Sequence, residues 1–479
     1  MSRKLFRSRP SRKVIVVCLG AVFTVPTWST AAWSQANPPT TSTGSVAAGT
    51  KDIPALTVDI SGFGFGHGQG MGQWGAYGYA SVYHWGYQKI LAHYYGGTTL
   101  GTLASPEPPV TVHLVELDGR NTLASALAGG HLVATWGGNA TLTGESIEVA
   151  RSSGAEAIFS GPGCGGPWKK VATTTGPVTI ASARPAPSGP PSSSSTSALP
   201  GSSGAASIAT SELAVCLPGE APRVYRGDLM AQPDGQTQNV LPLEDYIDAV
   251  VPAESPASWM GSGEAALQAL AVAARSVAVA LVSTEGEICD TTQCQVYEGV
   301  PDEYGMTADK AVSSTAGQVL YCDADSTCGP ADSVAVAEYS SSTGGYTAGG
   351  TFPAVPDLGD SVGANPVHAW SMGIPLSEVD ATFPSIGQLK RVTVTKRNGL
   401  GQMGGRVEQL EVVGDQGSVS LTGNQFAADF DLYSDWFAVH AVPPLAVPTQ
   451  TGGTTSTSTT TYSGSGPAST TSTSGASTS

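Results

Sequence analysis

The chain is poor in positive charge. Its 479 residues hold 22 Lys and Arg against 38 Asp and Glu, for a net charge of −16. A nucleic-acid partner would need a basic stripe to neutralise its phosphates, so that class of partner is excluded. Long apolar runs are scarce near the N-terminus too. The one over residues 14–25 is short for a membrane-spanning helix. Cysteine is sparse at seven residues. Neither of the close pairs, Cys289/Cys294 and Cys322/Cys328, has the two-residue spacing of a zinc knuckle, so no metal or other cofactor is expected.

What stands before and after that apolar run sets the compartment. Arg3, Lys4, Arg7, Arg9, Arg12 and Lys13 precede it, and small residues follow, with Ser34-Gln35-Ala36 as the best cleavage site. This is the layout of a secretory signal peptide over residues 1–36. The same features would also permit a retained signal anchor, and only then would a membrane be a partner. Removal of the six basic residues takes the net charge from −16 to −22. Cys18 leaves with the leader, and an even number of cysteines in an exported chain reads as disulfides. The spacing favours Cys289/Cys294 and Cys322/Cys328 as short loops, which leaves Cys164/Cys216 as the long pair. A secreted, cell-wall-associated protein is the expectation.

Composition divides the rest. Residues 183–211 are Pro, Ser, Gly and Ala with almost no charge, and read as a flexible linker. Residues 446–479 form a Thr/Ser-rich tail that cannot bury enough apolar surface to order itself. Residues 110–182 show short alternating runs, such as Val110-Thr111-Val112-His113-Leu114-Val115, broken by glycines, and read as a strand-rich insertion. Residues 389–439 repeat that texture. Residues 263–282 are Ala-rich and apolar, as expected of one buried helix; Arg275 near the middle argues against a membrane span. In residues 61–76 glycine alternates with larger residues, which suggests extended backbone pressed against a neighbour. Residues 87–95 read as a helix carrying His93.

Asp245 and Glu254 are the acids to weigh. Glu254 follows an apolar, strand-like stretch and precedes Ser255-Pro256 and the Ala-rich helix. A carboxyl in apolar surroundings has a raised pKa and can stay protonated to act as a general acid. A solvated acid or a helix-start capping group is the commoner outcome for such a residue.

Several longer motifs agree with one another. Leu241-Pro242-Leu243-Glu244-Asp245-Tyr246, Val251-Pro252-Ala253-Glu254 and Ala271-Val272-Ala273-Ala274-Arg275 resemble the SpoIID/LytB family. So do Asp290-Thr291-Thr292-Gln293 with Gln295-Val296-Tyr297, and Tyr339-Ser340-Ser341-Ser342-Thr343-Gly344-Gly345-Tyr346-Thr347. Gly66-His67-Gly68-Gln69-Gly70-Met71 with Gln73-Trp74-Gly75-Ala76 completes the set. The resemblance implies an α+β, β-rich domain with a buried Ala-rich helix, formed by residues 55–109 and 212–445. It implies a peptidoglycan-acting protein: a lytic transglycosylase, or an amidase enhancer of the LytB type that would partner a cell-wall amidase. The family's catalytic acid falls on Glu254. Arg275, Asp290, Gln293, Gln295, Tyr297, Ser341, Tyr346, His67 and Gln73 become candidates for binding glycan strands. For Arg275 a salt-bridge partner is the more common role, because an unpaired charge on an apolar helix is costly. His67 has a groove role, a metal-ligand role and a structural role open to it, with the groove favoured.

The chain departs from the family pattern in four places. Leu270 stands where a Gln is usual, Val277 where a Tyr often follows the Arg, and Gly72 where the block usually has Ser. The Gly-His-Gly block also comes first, whereas in the family it follows the last strand. A circularly permuted chain would account for that order, since domain termini often lie close together. It requires residues 55–99 to pack beside the strands of 389–440, near Glu254.

Overall fold

The computed structural model describes residues 56–183, 212–300 and 305–440, apart from 106, 128, 139, 153 and 218. The leader, the tail and all of the linker but Ala183 lie outside the described residues. Helices and strands are mixed along the chain, and the fold is α+β. The α-helices are α1 (Gln73–Ser81), α2 (Tyr87–Tyr94), α3 (Leu243–Glu254), α4 (Glu264–Glu285), α5 (Gly305–Ser313), α6 (Leu376–Thr382) and α7 (Gly423–Asp429).

Two large sheets and α1 to α5 share the first core. The larger sheet runs Ile288–Cys289, Val110–His113, Thr237–Leu241, Asp228–Ala231, Val178–Ala183, His131–Trp136, Ala140–Gly144. The other runs Lys169–Thr174, Ala155–Gly161, Ser146–Ser152, Thr122–Ala126, Glu212–Val215, Arg223–Arg226. Alternation explains the strands: Val110 and Val112 point inward while Thr111 and His113 stay partly exposed. The strands of residues 110–183 do not stand apart from those that follow the linker. Val110–His113 pairs antiparallel with Thr237–Leu241, and Val178–Ala183 with Asp228–Ala231.

At the centre lies α4. It is long and apolar enough to cross a bilayer by composition, yet most of it is buried inside the fold. Ala269, Ala271, Ala273, Ala274 and Ala278 are buried, and their small side chains let neighbouring elements approach closely. Leu270 and Val277, the two apolar departures from the family pattern, are buried there as well. The helix stops at Gly286, whose φ of 88° is left-handed.

The stretch before Glu254 is helical, which corrects its strand-like reading. Leu243, Tyr246, Ile247, Val250 and Val251 are all buried on α3, and their spacing of three and four residues is that of one helix face. A short run of Val and Ile does not separate strand from helix by periodicity alone.

A second core joins two three-stranded sheets with α6 and α7. One sheet sets Thr57–Phe63 between Ala369–Pro375 and Phe437–Val439, both antiparallel to it. The other is Leu389–Arg397, Val407–Gly414 and Ser418–Leu421. Residues 57–95 tie the cores together: Val58 and Ile60 belong to the second, Met71, Ala76 and Tyr94 to the first. Beyond the strand, the glycine run is not extended as its alternation suggested. Gly64, Gly66, Gly68 and Gly70 have φ of 75°, 96°, 69° and 61°, a conformation that side chains resist. The close packing is present all the same, since a Cβ on Gly68 would meet the Arg406 guanidinium at 2.0 Å.

The structure forms the three disulfides that spacing favours, Cys164–Cys216, Cys289–Cys294 and Cys322–Cys328. They are consistent with an extracellular protein.

Candidate functional site

Glu254 is the last residue of α3, and Ser255 leaves the helix with extended backbone. Three separate elements meet its carboxyl. Val296, in the loop after Ile288–Cys289, donates its main-chain N–H to Oε1 at 2.8 Å. Gln73, the first residue of α1, donates Nε2 to Oε2 at 3.1 Å and to the Glu254 main-chain oxygen at 2.9 Å. Tyr339 also hydrogen-bonds the carboxyl. All three donors are neutral.

These contacts act against burial. Glu254 keeps partial solvent exposure as a residue, but its carboxyl is crowded by protein. Desolvation raises its pKa above the usual glutamate value of 4.5, and the Val296, Gln73 and Tyr339 hydrogen bonds pull the other way. The helix end adds to the upward push, because the negative pole of α3 disfavours an anion there.

A buried polar chain supports Tyr339 from behind. Gln295 Nε2 donates to the Tyr339 hydroxyl at 2.9 Å and to the Ala274 main-chain oxygen of α4 at 3.2 Å. Its amide oxygen accepts from the Tyr246 hydroxyl of α3 at 3.1 Å. Two further hydroxyls lie alongside in sequence. Ser255 and Ser340 are buried, and neither Oγ has a protein partner among the described residues. A buried polar atom of that kind calls for a hydrogen bond from water or a ligand.

The structure thus gathers Glu254, Gln73 and Gln295 into one network and sets the other candidates apart. Arg275 is fully buried and donates through Nε and Nη2 to the two carboxylate oxygens of Glu244, at 2.7 Å each. Nη1 reaches the main-chain oxygens of Ala271 and Gln318. The cation is therefore engaged by the protein, which is the salt-bridge role. Tyr297 is buried and donates its hydroxyl to Asn239 at 2.6 Å. Asp290 accepts the Val115 N–H at 3.1 Å, and burial, ahead of other causes, pushes its pKa up to about 6. Gln293 is exposed within the Cys289–Cys294 loop. Ser341 accepts the Trp74 N–H on its main-chain oxygen at 3.0 Å. Tyr346 is partly buried and bridges to Pro356 through its backbone.

His67 stands at the turn of the glycine run. Its Nδ1 accepts the Gln69 N–H at 3.0 Å, and it also bonds the Tyr339 main chain. The residue has exposed surface, yet desolvation of the ring and then the Arg406 charge lower its pKa, which favours the neutral form. Among the described residues no group of three or more His, Cys, Asp or Glu is placed to hold a metal ion.

Sequence reasoning missed Tyr339, Val296 and Tyr246 as parts of the network. Tyr339 opens the motif that contains Ser341 and Tyr346, and its place at the head of that block was the available signal. The Val296 contact uses only main chain, which no side-chain pattern encodes.

Comparison with known families gives one assignment. Residues 232–321, which contain α3, α4, Glu254, Gln295 and Val296, match the family model SpoIID, described as stage II sporulation protein. No curated protein and no solved structure matches the chain. That match supports a cell-wall-related, sporulation-type theme for the protein and extends over residues 232–321.

Proposed function

We propose that this protein is an exported, peptidoglycan-acting lytic transglycosylase with Glu254 as its general acid and base. The observation that carries the reading is the Glu254 carboxyl: desolvated, raised in pKa, held by three elements and, among the described residues, paired with no cation. Such a group holds its proton to higher pH than an ordinary glutamate and can release it at a fixed point. Protonated Glu254 donates to the glycosidic oxygen as the oxocarbenium ion develops. The carboxylate then takes the proton of the muramic 6-hydroxyl, whose oxygen closes a 1,6-anhydro ring. Gln73 and Val296 fix both carboxyl oxygens during these transfers, and the unpartnered Ser255 and Ser340 hydroxyls offer hydrogen bonds to sugar.

A permuted order belongs to the same reading. The Gly-His-Gly segment supplies Gln73 to Glu254, and the preceding strand pairs with Phe437–Val439. Both contacts support a family domain whose closing block has moved to the front.

One observation favours a second reading, a non-catalytic wall-binding protein or amidase enhancer. Three donors on one carboxyl stabilise its ionised form, which suits binding rather than proton donation. Incubation of the mature protein with denuded glycan strands, followed by mass spectrometry, separates the two. Anhydro-ended products that vanish in Glu254→Gln support the enzyme; intact glycan retained by both proteins overturns it in favour of binding.

A further inference from the structure

Outside the Glu254 network, one histidine has the geometry of a ligand-contacting group. His368 immediately precedes strand Ala369–Pro375, and its side chain is 22% exposed. Its Nδ1 lies 2.7 Å from Oδ2 of Asp360, whose side chain is fully buried. The same carboxylate accepts from the Ser342 hydroxyl and from the main-chain N–H groups of Thr343 and Gly344. Those donors fix the position of the carboxylate and, through it, the orientation of the imidazole. No protein group among the described residues bonds to Nε2.

The ring is partly open to solvent, and Gly345, with a φ of 105°, lies beside its Cε1 edge. Phe63 supports the ring edge-on, with centroids 5.9 Å apart. A solvated surface histidine needs no buried carboxylate behind it, because desolvating that charge is costly. The arrangement is that of an imidazole oriented to meet something.

Its place in the fold indicates what. The segment that brings Tyr339 to Glu254 continues to Gly344 and Gly345 at His368. The six peptide steps from Tyr339 to Gly345 span at most on the order of 20 Å, within reach of one extended oligosaccharide. We propose that His368 Nε2 forms a hydrogen bond with a sugar hydroxyl remote from the bond at Glu254, making a second glycan subsite; this rests on the glycan reading above.

The test is a binding series in the full mature chain carrying Glu254→Gln, so that turnover does not intervene. Oligomers of N-acetylglucosamine from disaccharide to hexasaccharide are titrated calorimetrically. Affinity is expected to rise with length, and His368→Gln is expected to remove about tenfold of that gain, the worth of one hydrogen bond. His440→Gln, at a histidine bonded to Ser61, serves as the control that leaves the series unchanged. Nuclear magnetic resonance of the protein with His368 intact gives a readout free of any folding defect: the His368 Hε1 signal should move with the long oligomers and not with the disaccharide. Length-dependent binding that survives His368→Gln, or a His368 signal that stays still while binding occurs, overturns the subsite alone. Absence of binding by every variant overturns the subsite and the glycan reading together.

Discussion

Helix α3 carries a glutamate at each end, and the two meet opposite fates. Glu244 lies in the first turn, where the helix favours an anion, and it accepts two bonds from Arg275 and one from the Gly317 N–H. Glu254 lies at the last residue, where the helix disfavours an anion, and every donor that reaches it is neutral. The first carboxylate is matched by a full counter-charge and holds α3 to α4. The second has only dipoles for company, so its protonated and ionised forms lie closer in energy. One motif thus supplies a structural acid and, on the proposed reading, a chemical one, and the partner's charge decides which is which.

The sharpest way to break that comparison is Glu254→Gln. It should lower glycan cleavage by roughly 10²–10⁴-fold while leaving the melting temperature nearly unchanged, since the amide keeps the shape of the side chain. Similar losses of stability and activity would place Glu254 with Glu244 as a structural residue.

Arg275→Met should do the reverse. Removing one partner of a buried pair costs about 3 kcal/mol or more; the low end applies because Glu244 is 30% exposed and can rehydrate. Urea unfolding reads this loss, and a variant as stable as the parent would remove the structural half of the contrast.

A third carboxyl tests whether burial without a cation is what raises a pKa here. Asp357 is buried beside Asp360, and burial, then the Asp360 charge, push it up to about 7. The folded state therefore holds a proton that the unfolded chain releases near 3.8. This contribution to stability is present below that value and is lost as pH rises through about 7. Asp357→Asn should flatten that part of the curve of melting temperature against pH.

The smallest effect concerns Gln73. For a general acid with a raised pKa, activity falls as pH climbs past that pKa, so the alkaline limb should lie above 4.5. Gln73→Leu removes one donor from the carboxylate and should move the limb higher still, by up to about one unit. A downward move would show that Gln73 does not stabilise the ionised form.

Much of this contrast could be read from residue order, and its limits have physical causes. The strands Val110–His113, Leu389–Arg397, Val407–Gly414 and Ser418–Leu421 follow from alternation, and α4 from its Ala-rich run. Helix α3 was misread locally because Val250-Val251 suits either period until Leu243, Tyr246 and Ile247 are counted with it. Glu254 was legible through its motif. Its donors were not, because Gln73 comes from 181 residues away and Val296 contributes a peptide group. Arg275 carried its own ambiguity: an isolated charge on an apolar helix demands a partner, but its sequence neighbours do not name Glu244.

The strand Thr57–Phe63 has a consequence for the timing of assembly. It finds one neighbour at Ala369–Pro375 and the other at Phe437–Val439, so a strand made early must wait for strands made hundreds of residues later. Contacts so distant along the chain close slowly. The carboxyl of Glu254 likewise draws its donors from Gln73, Val296 and Tyr339, far apart along the chain. On the proposed reading, proton chemistry would begin only once these distant segments have met.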